Sequence, residues 1–104
     1  MNIEYILTDS SRHDKKYMVK YFNDLTGRLN TIHFGQRGAD DYTLTNSEDA
    51  KRLYIQRHSN DRIDDLRYSG AWAMNLLWNK KTISASIKDM EKRFGVSIKH
   101  VRIK

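Results

Sequence analysis

Two alternating runs joined by five turn-forming residues constrain this chain more than any other feature in it. Tyr17, Val19 and Tyr21 alternate with Met18, Lys20 and Phe22, and from Arg28 to Phe34 the residues Leu29, Thr31 and His33 alternate with Ile32 and Phe34. A period of two puts successive side chains on opposite faces of a strand. Between the runs lies Asn23-Asp24-Leu25-Thr26-Gly27, with turn formers at both ends and a glycine free to take positive φ. The pair therefore predicts an antiparallel hairpin. Residues 3–7 alternate too, with Ile3, Tyr5 and Leu7 on one face, and predict a first strand joined to the hairpin by a polar loop from Thr8 to Lys15.

Downstream the period lengthens. Thr45 and Glu48 form a Thr-x-x-Glu capping box, which predicts a helix starting near Thr45. Ala50, Leu53, Tyr54, Arg57 and His58 then fall on one helical stripe, with Lys51, Arg52 and Gln56 facing away. Ser59 to Arg67 is polar and reads as irregular chain or a short helical turn. After Gly70, residues 71–78 are apolar almost all round, so this short helix should be the most buried element. Thr82 can cap a last helix carrying Ile83, Ile87, Met90 and Phe94, with Lys92 and Arg93 in its final turn and Gly95 as its left-handed stop. Val96 to Ile103 is basic and β-branched with untidy alternation, which suits a terminal edge strand or a bulge. The order predicts one α+β domain over residues 1–104. Its small antiparallel sheet of three N-terminal strands, with a possible C-terminal edge strand, carries three helices on one face.

Composition sets the class of partner. At 104 residues the chain can build a single modest core, and 11% aromatics argue for a folded protein. No apolar run approaches the ~18 residues of a membrane span, and the N-terminus lacks the basic and apolar segments of a secretion signal. Without cysteine there are no disulfides and no thiolate metal site, which fits the interior of a cell or virus particle. The formal net charge is +6, and residues 88–104 hold six Lys or Arg against two acids. Such a balance favours polyanionic partners and says nothing about fold.

His33, Asp40, Asp41 and His58 are the natural metal or acid-base candidates, but no pair of them has a tight ligand spacing. The Asp40-Asp41 pair is thin material for a magnesium nuclease, and no nucleophile motif is present. No metal and no cofactor is expected. Gly35-Gln36-Arg37-Gly38 could cradle a phosphate through backbone N–H groups, with Arg37 adding charge. A sharp turn off the third strand is the simpler reading, since no Lys-Ser/Thr follows. For Arg57 and His58 the expectation is a pinning role: His58 bonding carbonyls at the helix end, Arg57 pairing with Asp41 or Asp40 beneath the glycine loop. Trp72 and Trp78, six residues apart, are expected in the core.

Several blocks in one order give the chain a resemblance. Thr31 to Gly35, then Gly38, then Asp41-Tyr42-Thr43, Tyr54-Ile55-x-Arg57-His58, Leu77-Trp78-Asn79 and Ser86 to Phe94 are similar to the pattern of a family of short uncharacterised proteins. Large DNA viruses of algae and protists encode that family, which has relatives in some phages. The resemblance spans roughly residues 16–94. Leu44-Thr45-Asn46 stands where the family often has another histidine, which weakens a shared multi-histidine metal site, and Lys81 stands where a proline is frequent. The resemblance implies a viral context, in the particle or the cytoplasm or nucleus of the host cell, and supplies no catalytic residues. Its motif positions here are His33, Gly35, Gly38, Asp41, Tyr42, Tyr54, Arg57, His58, Trp78 and Asn79.

The expected function is a small, basic, non-enzymatic binding protein contacting nucleic acid or another anionic partner. Arg37, Lys80, Lys81, Lys92, Arg93, Lys99, Arg102 and Lys104 would make the contacts. A capsid or assembly component that binds other virion proteins, through the C-terminal strand, is the alternative. An enzyme would need His33, Asp41, Arg57 and His58 to converge in an open pocket.

Overall fold

The computed structural model describes residues 3–102. Strands β1 (Glu4–Asp9), β2 (Lys15–Asn23) and β3 (Arg28–Gln36) form an antiparallel meander. The β2–β3 turn closes with the Gly27 N–H donating to the Asn23 carbonyl at 2.8 Å, and Gly27 takes φ +69°. Register pairs Tyr17 with Phe34 and Val19 with Ile32, so one face of both strands enters the core, as the alternation predicts. Strand β4 (Ser97–His100) adds to the far edge in the order β3-β2-β1-β4. It runs parallel to β1, so the sheet is mixed where an all-antiparallel one was expected. Ile103, the end of the expected strand, and Lys104 lie outside the described residues.

Four helices follow the hairpin: α1 (Tyr42–Thr45), α2 (Glu48–Arg57), α3 (Ser69–Trp72) and α4 (Ile83–Phe94). The expected helix start at Thr45 divides into two. Asp41 caps α1, Asn46 ends it in the left-handed region at φ +52°, and Ser47 caps α2 by accepting from the Ala50 N–H at 3.2 Å. α3 runs on without a break into a π-helical turn, Ala73–Leu77. Thr82 caps α4 and Gly95 ends it at φ +65°, both as the spacing predicts.

The helices cover one sheet face. Trp72 is fully buried at the centre, its ring 5.0 Å from Tyr5 edge-on and 5.8 Å from Phe34. Its Nε1–H donates to the Leu66 carbonyl at 2.9 Å, so the indole enters the core with its one polar group bonded. Leu7, Val19, Leu76, Leu77, Ile87, Met90 and Ile98 complete the same cluster. Among the described residues no helix covers the opposite sheet face, which exposes Lys20, Phe22, Leu29 and Lys99. α2 is the least embedded element, with no buried residue. Its expected stripe is corrected here: Ala50, Tyr54 and His58 are half-buried, but Leu53 (48%) and Arg57 face solvent. Lys51, expected outside, instead donates to the Asn79 carbonyl at 2.6 Å and lies over the Tyr42 ring.

Candidate ligand cleft and basic surfaces

The glycine bend is where sequence forces an unusual path. Gly35 takes φ +77° and Gly38 φ +88°, conformations that side chains rarely adopt. A Cβ on Gly35 would stand 2.8 Å from Leu77 Cδ1 and 3.3 Å from Lys16 Cβ, so hydrogen is what lets β3 close on the helical layer. Two of the bend's N–H groups and its guanidinium are already engaged within the fold. The Arg37 N–H already donates to the Asp14 carbonyl at 3.0 Å and the Ala39 N–H to Gln36 at 3.1 Å. The Arg37 side chain, through Nε and Nη2, holds the Lys15 carbonyl at 3.2 and 2.9 Å.

Beyond the bend, Asp41 is 2% exposed and its oxygens are fully engaged. Oδ1 accepts from the Thr43 N–H at 2.9 Å and from the Thr43 hydroxyl, while Oδ2 accepts from Lys16 Nζ at 2.6 Å. The cation beneath the bend is therefore Lys16, not Arg57. Burying a carboxylate demands such a partner, and strand register supplies it by setting Lys16 opposite Gly35, between the pairs Lys15–Gln36 and Tyr17–Phe34. Tyr42 is buried beside this pair with its hydroxyl donating to Glu48.

His58 also departs from expectation. Its Nδ1 meets Asp61 Oδ2 at 2.8 Å instead of bonding helix carbonyls. Its ring stacks on Tyr54, one helical turn back, at 4.1 Å, and Tyr54 stacks on Trp78 at 4.5 Å and 9°. Burial raises the Tyr54 phenol pKa above its usual value, the Asp61 charge adds to the rise, and Arg57 opposes it. The phenol is thus neutral at physiological pH.

These features enclose a cleft of about 470 Å³ between the glycine bend, the end of α2 and the start of α3. Phe34, Leu77 and Trp78 give it buried apolar walls, and Lys15, Asp40, Arg57 and His58 line it with polar groups. Among the described residues, Asp40 and Arg57 form no ion pair or side-chain hydrogen bond. His33 is elsewhere. Strand alternation sends it to the opposite face, where its Nδ1 meets Ser10 Oγ at 2.7 Å. The four residues required for an enzyme do not converge, and no group of three or more potential ligands stands together for a metal among the described residues.

The cationic residues divide between two surfaces. Lys88 and Lys92, at i and i+4, share the exposed side of α4, and Lys80 and Lys81 are exposed just ahead of its cap, Thr82. Lys99 projects from the open sheet face, as Ile98 beside it in sequence is buried toward the helices, and Lys20 flanks the same Ile6 from β2. Arg102 is exposed just past β4. Arg93 is engaged within the fold, its Nε on Asp89 at 2.7 Å and its Nη2 on Asn75 Oδ1 at 2.8 Å. Asn79 completes this set by donating to Asp89 at 2.7 Å. Sequence reasoning passed over Lys88, although its place one helical turn before Lys92 marks it. It also passed over Asp61, which sits three residues after His58.

Fold and cleft together define a small α+β protein with a mixed sheet, one covered face and an amphipathic cleft at the sheet's end. The chain belongs to a family of unknown function, DUF5754, whose pattern matches residues 5–58. That span holds the meander from Tyr5 onward, the glycine bend and α2, and it ends on His58. No curated protein and no solved structure matches the chain. No helix among the described residues is long and apolar enough to cross a membrane.

Proposed function

We propose that this chain is a small non-enzymatic binding protein that contacts nucleic acid through its helical lysine surface, in the particle or the infected cell of a large DNA virus. The observation that carries the reading is the α4 stripe. Lys88 and Lys92 share its exposed side, Lys80 and Lys81 are exposed just ahead of its cap, and none of the four is in an ion pair among the described residues. Unneutralised cations in a row suit a phosphate backbone, whose contacts release counterions and carry no base sequence. The viral setting is supported by the motif resemblance described above. The assembly alternative draws on β4 as an edge strand, but the Ile98 N–H on its outer side already donates to Glu91 Oε2 at 2.9 Å. That bond takes one of the outward N–H groups such pairing would use.

Fluorescence anisotropy with single-stranded and duplex oligonucleotides, at two salt concentrations, tests the reading. Binding should be steeply salt-dependent and indifferent to sequence. No binding at low salt would reject it.

A further inference from the structure

The geometry points to the cleft beside the glycine bend as a binding site for one 5′-phosphorylated nucleotide unit. Its walls are made of side chains whose roles in the fold are complete: Phe34, Leu77 and Trp78 are buried, and Tyr54 is held between Trp78 and His58. Two glycines keep it open. Gly35 admits no Cβ against Leu77, and a Cβ on Gly70 would meet the Asp61 carboxylate at 3.3 Å. At about 470 Å³ the cleft lies within the range of roughly 300–1,000 Å³ common for small-ligand pockets.

The polar groups left unspent define the ligand. Lys16 and Asp41 neutralise each other, and Asp61 fixes His58 through Nδ1, which leaves Nε2 without a partner among the described residues. Arg57, Lys15 and Asp40 remain. Arg57 matches a phosphate in geometry as well as charge, and Lys15 adds a second cation. Asp40 accepts hydrogen bonds, which suits ribose hydroxyls or an exocyclic amine. The apolar walls suit a planar base, and since Tyr54 is covered on both faces, the half-buried His58 ring is the member of the stack left to meet it. Three cations, Lys15, Lys16 and Arg57, face three carboxylates, Asp40, Asp41 and Asp61, in this cleft. A bare phosphate ion therefore gains little there, and the ligand needs its base and sugar as well as its anion.

The source of the unit is a free nucleotide or the 5′ end of a strand; the second rests on the nucleic-acid reading above. The test is an amide NMR titration with AMP, GMP, CMP and UMP, with inorganic phosphate, and with hexanucleotides bearing a 5′-phosphate or a 5′-hydroxyl. At least one mononucleotide should shift the Gly35, Gly70 and His58 amides, with inorganic phosphate binding much more weakly. Arg57→Ala should weaken that binding about tenfold, the loss expected for one charged hydrogen bond. Lys88→Gln with Lys92→Gln should leave it unchanged while lowering salt-dependent binding of polymer. A 5′-phosphorylated hexamer that outcompetes both its 5′-hydroxyl counterpart and the mononucleotides assigns the strand end; otherwise the free nucleotide is the ligand. Absence of shifts at these amides with all four mononucleotides at millimolar concentration overturns the proposal, as does wild-type affinity in Arg57→Ala. Polymer binding lost while nucleotide shifts persist would sink the surface reading alone.

Discussion

Gly35 and Gly38 differ by what surrounds them, and that difference is measurable. Both hold positive φ, but an added Cβ meets nothing within 4 Å at Gly38 and meets Leu77 at 2.8 Å at Gly35. Gly38→Ala should cost about 1 kcal/mol from left-handed strain alone. Gly35→Ala should cost about 3 kcal/mol, because the buried leucine must move as well. Urea denaturation of the two variants checks this, and equal losses would contradict the close approach. Lys16 offers a second test at this scale. Among the described residues its Nζ is the sole cation on the buried Asp41, so Lys16→Ala leaves an unpaired buried carboxylate and should cost about 3 kcal/mol. Arg57→Ala should change stability by less than about 0.5 kcal/mol, as expected for an exposed side chain without a partner. The need for a cation at Asp41 was legible from the sequence, but its identity was not. Strand parity assigns Lys16 to the face away from the helices, and only the bend opposite Gly35 brings it to a carboxylate twenty-five residues away.

Between elements, Asp89 joins α4 to the segment after the π turn. It accepts from Asn79 Nδ2 and from Arg93 Nε, and Arg93 continues to Asn75, whose amide donates to the Ala71 and Ile63 carbonyls. The Asn79 amide, then Arg93, holds the Asp89 carboxyl below its ordinary pKa of 3.8. A folded-state pKa below the unfolded one stabilises above the unfolded value and is lost as pH falls through the folded value. Asp89→Asn should therefore cost about 1 kcal/mol at neutral pH, a modest figure because solvent screens this half-exposed pair. The gap to wild type should narrow as pH drops below 3.8, and denaturation curves at descending pH check it; a constant gap would contradict the argument. Elements with one strong local signal were legible: the hairpin from alternation, α4 from Thr82 and Gly95, the buried 71–78 segment from its composition. The start of α2 was not, because Asp41 and Ser47 both cap and Asn46 resets the chain between them. Nor was the direction of β4, since composition marks a strand but not its neighbour.

Across the whole molecule, charge is sorted by side. Lys81, Lys88 and Lys92 occupy the helical layer, and Lys20 and Lys99 the open sheet face. Six cations cluster in the last residues of the sequence, and strand alternation and the engagement of Arg93 divide them in space. If α4 and the residues before its cap carry the phosphate contacts, replacing Lys81, Lys88 and Lys92 with glutamine should lower the slope of log affinity against log salt by up to about 3. Replacing Lys20 and Lys99 should leave the slope near wild type, and the reverse pattern would move the contact to the sheet. The π-helical turn has its own bearing on the molecule. A turn closed by five residues carries one residue more than a regular helix needs, and each residue is worth about 100° of rotation. Removing one residue between Ala73 and Leu77 would relax the backbone into ordinary helix and swing Trp78 away from the Tyr54 ring. The helix would become more regular, and the aromatic wall would come apart.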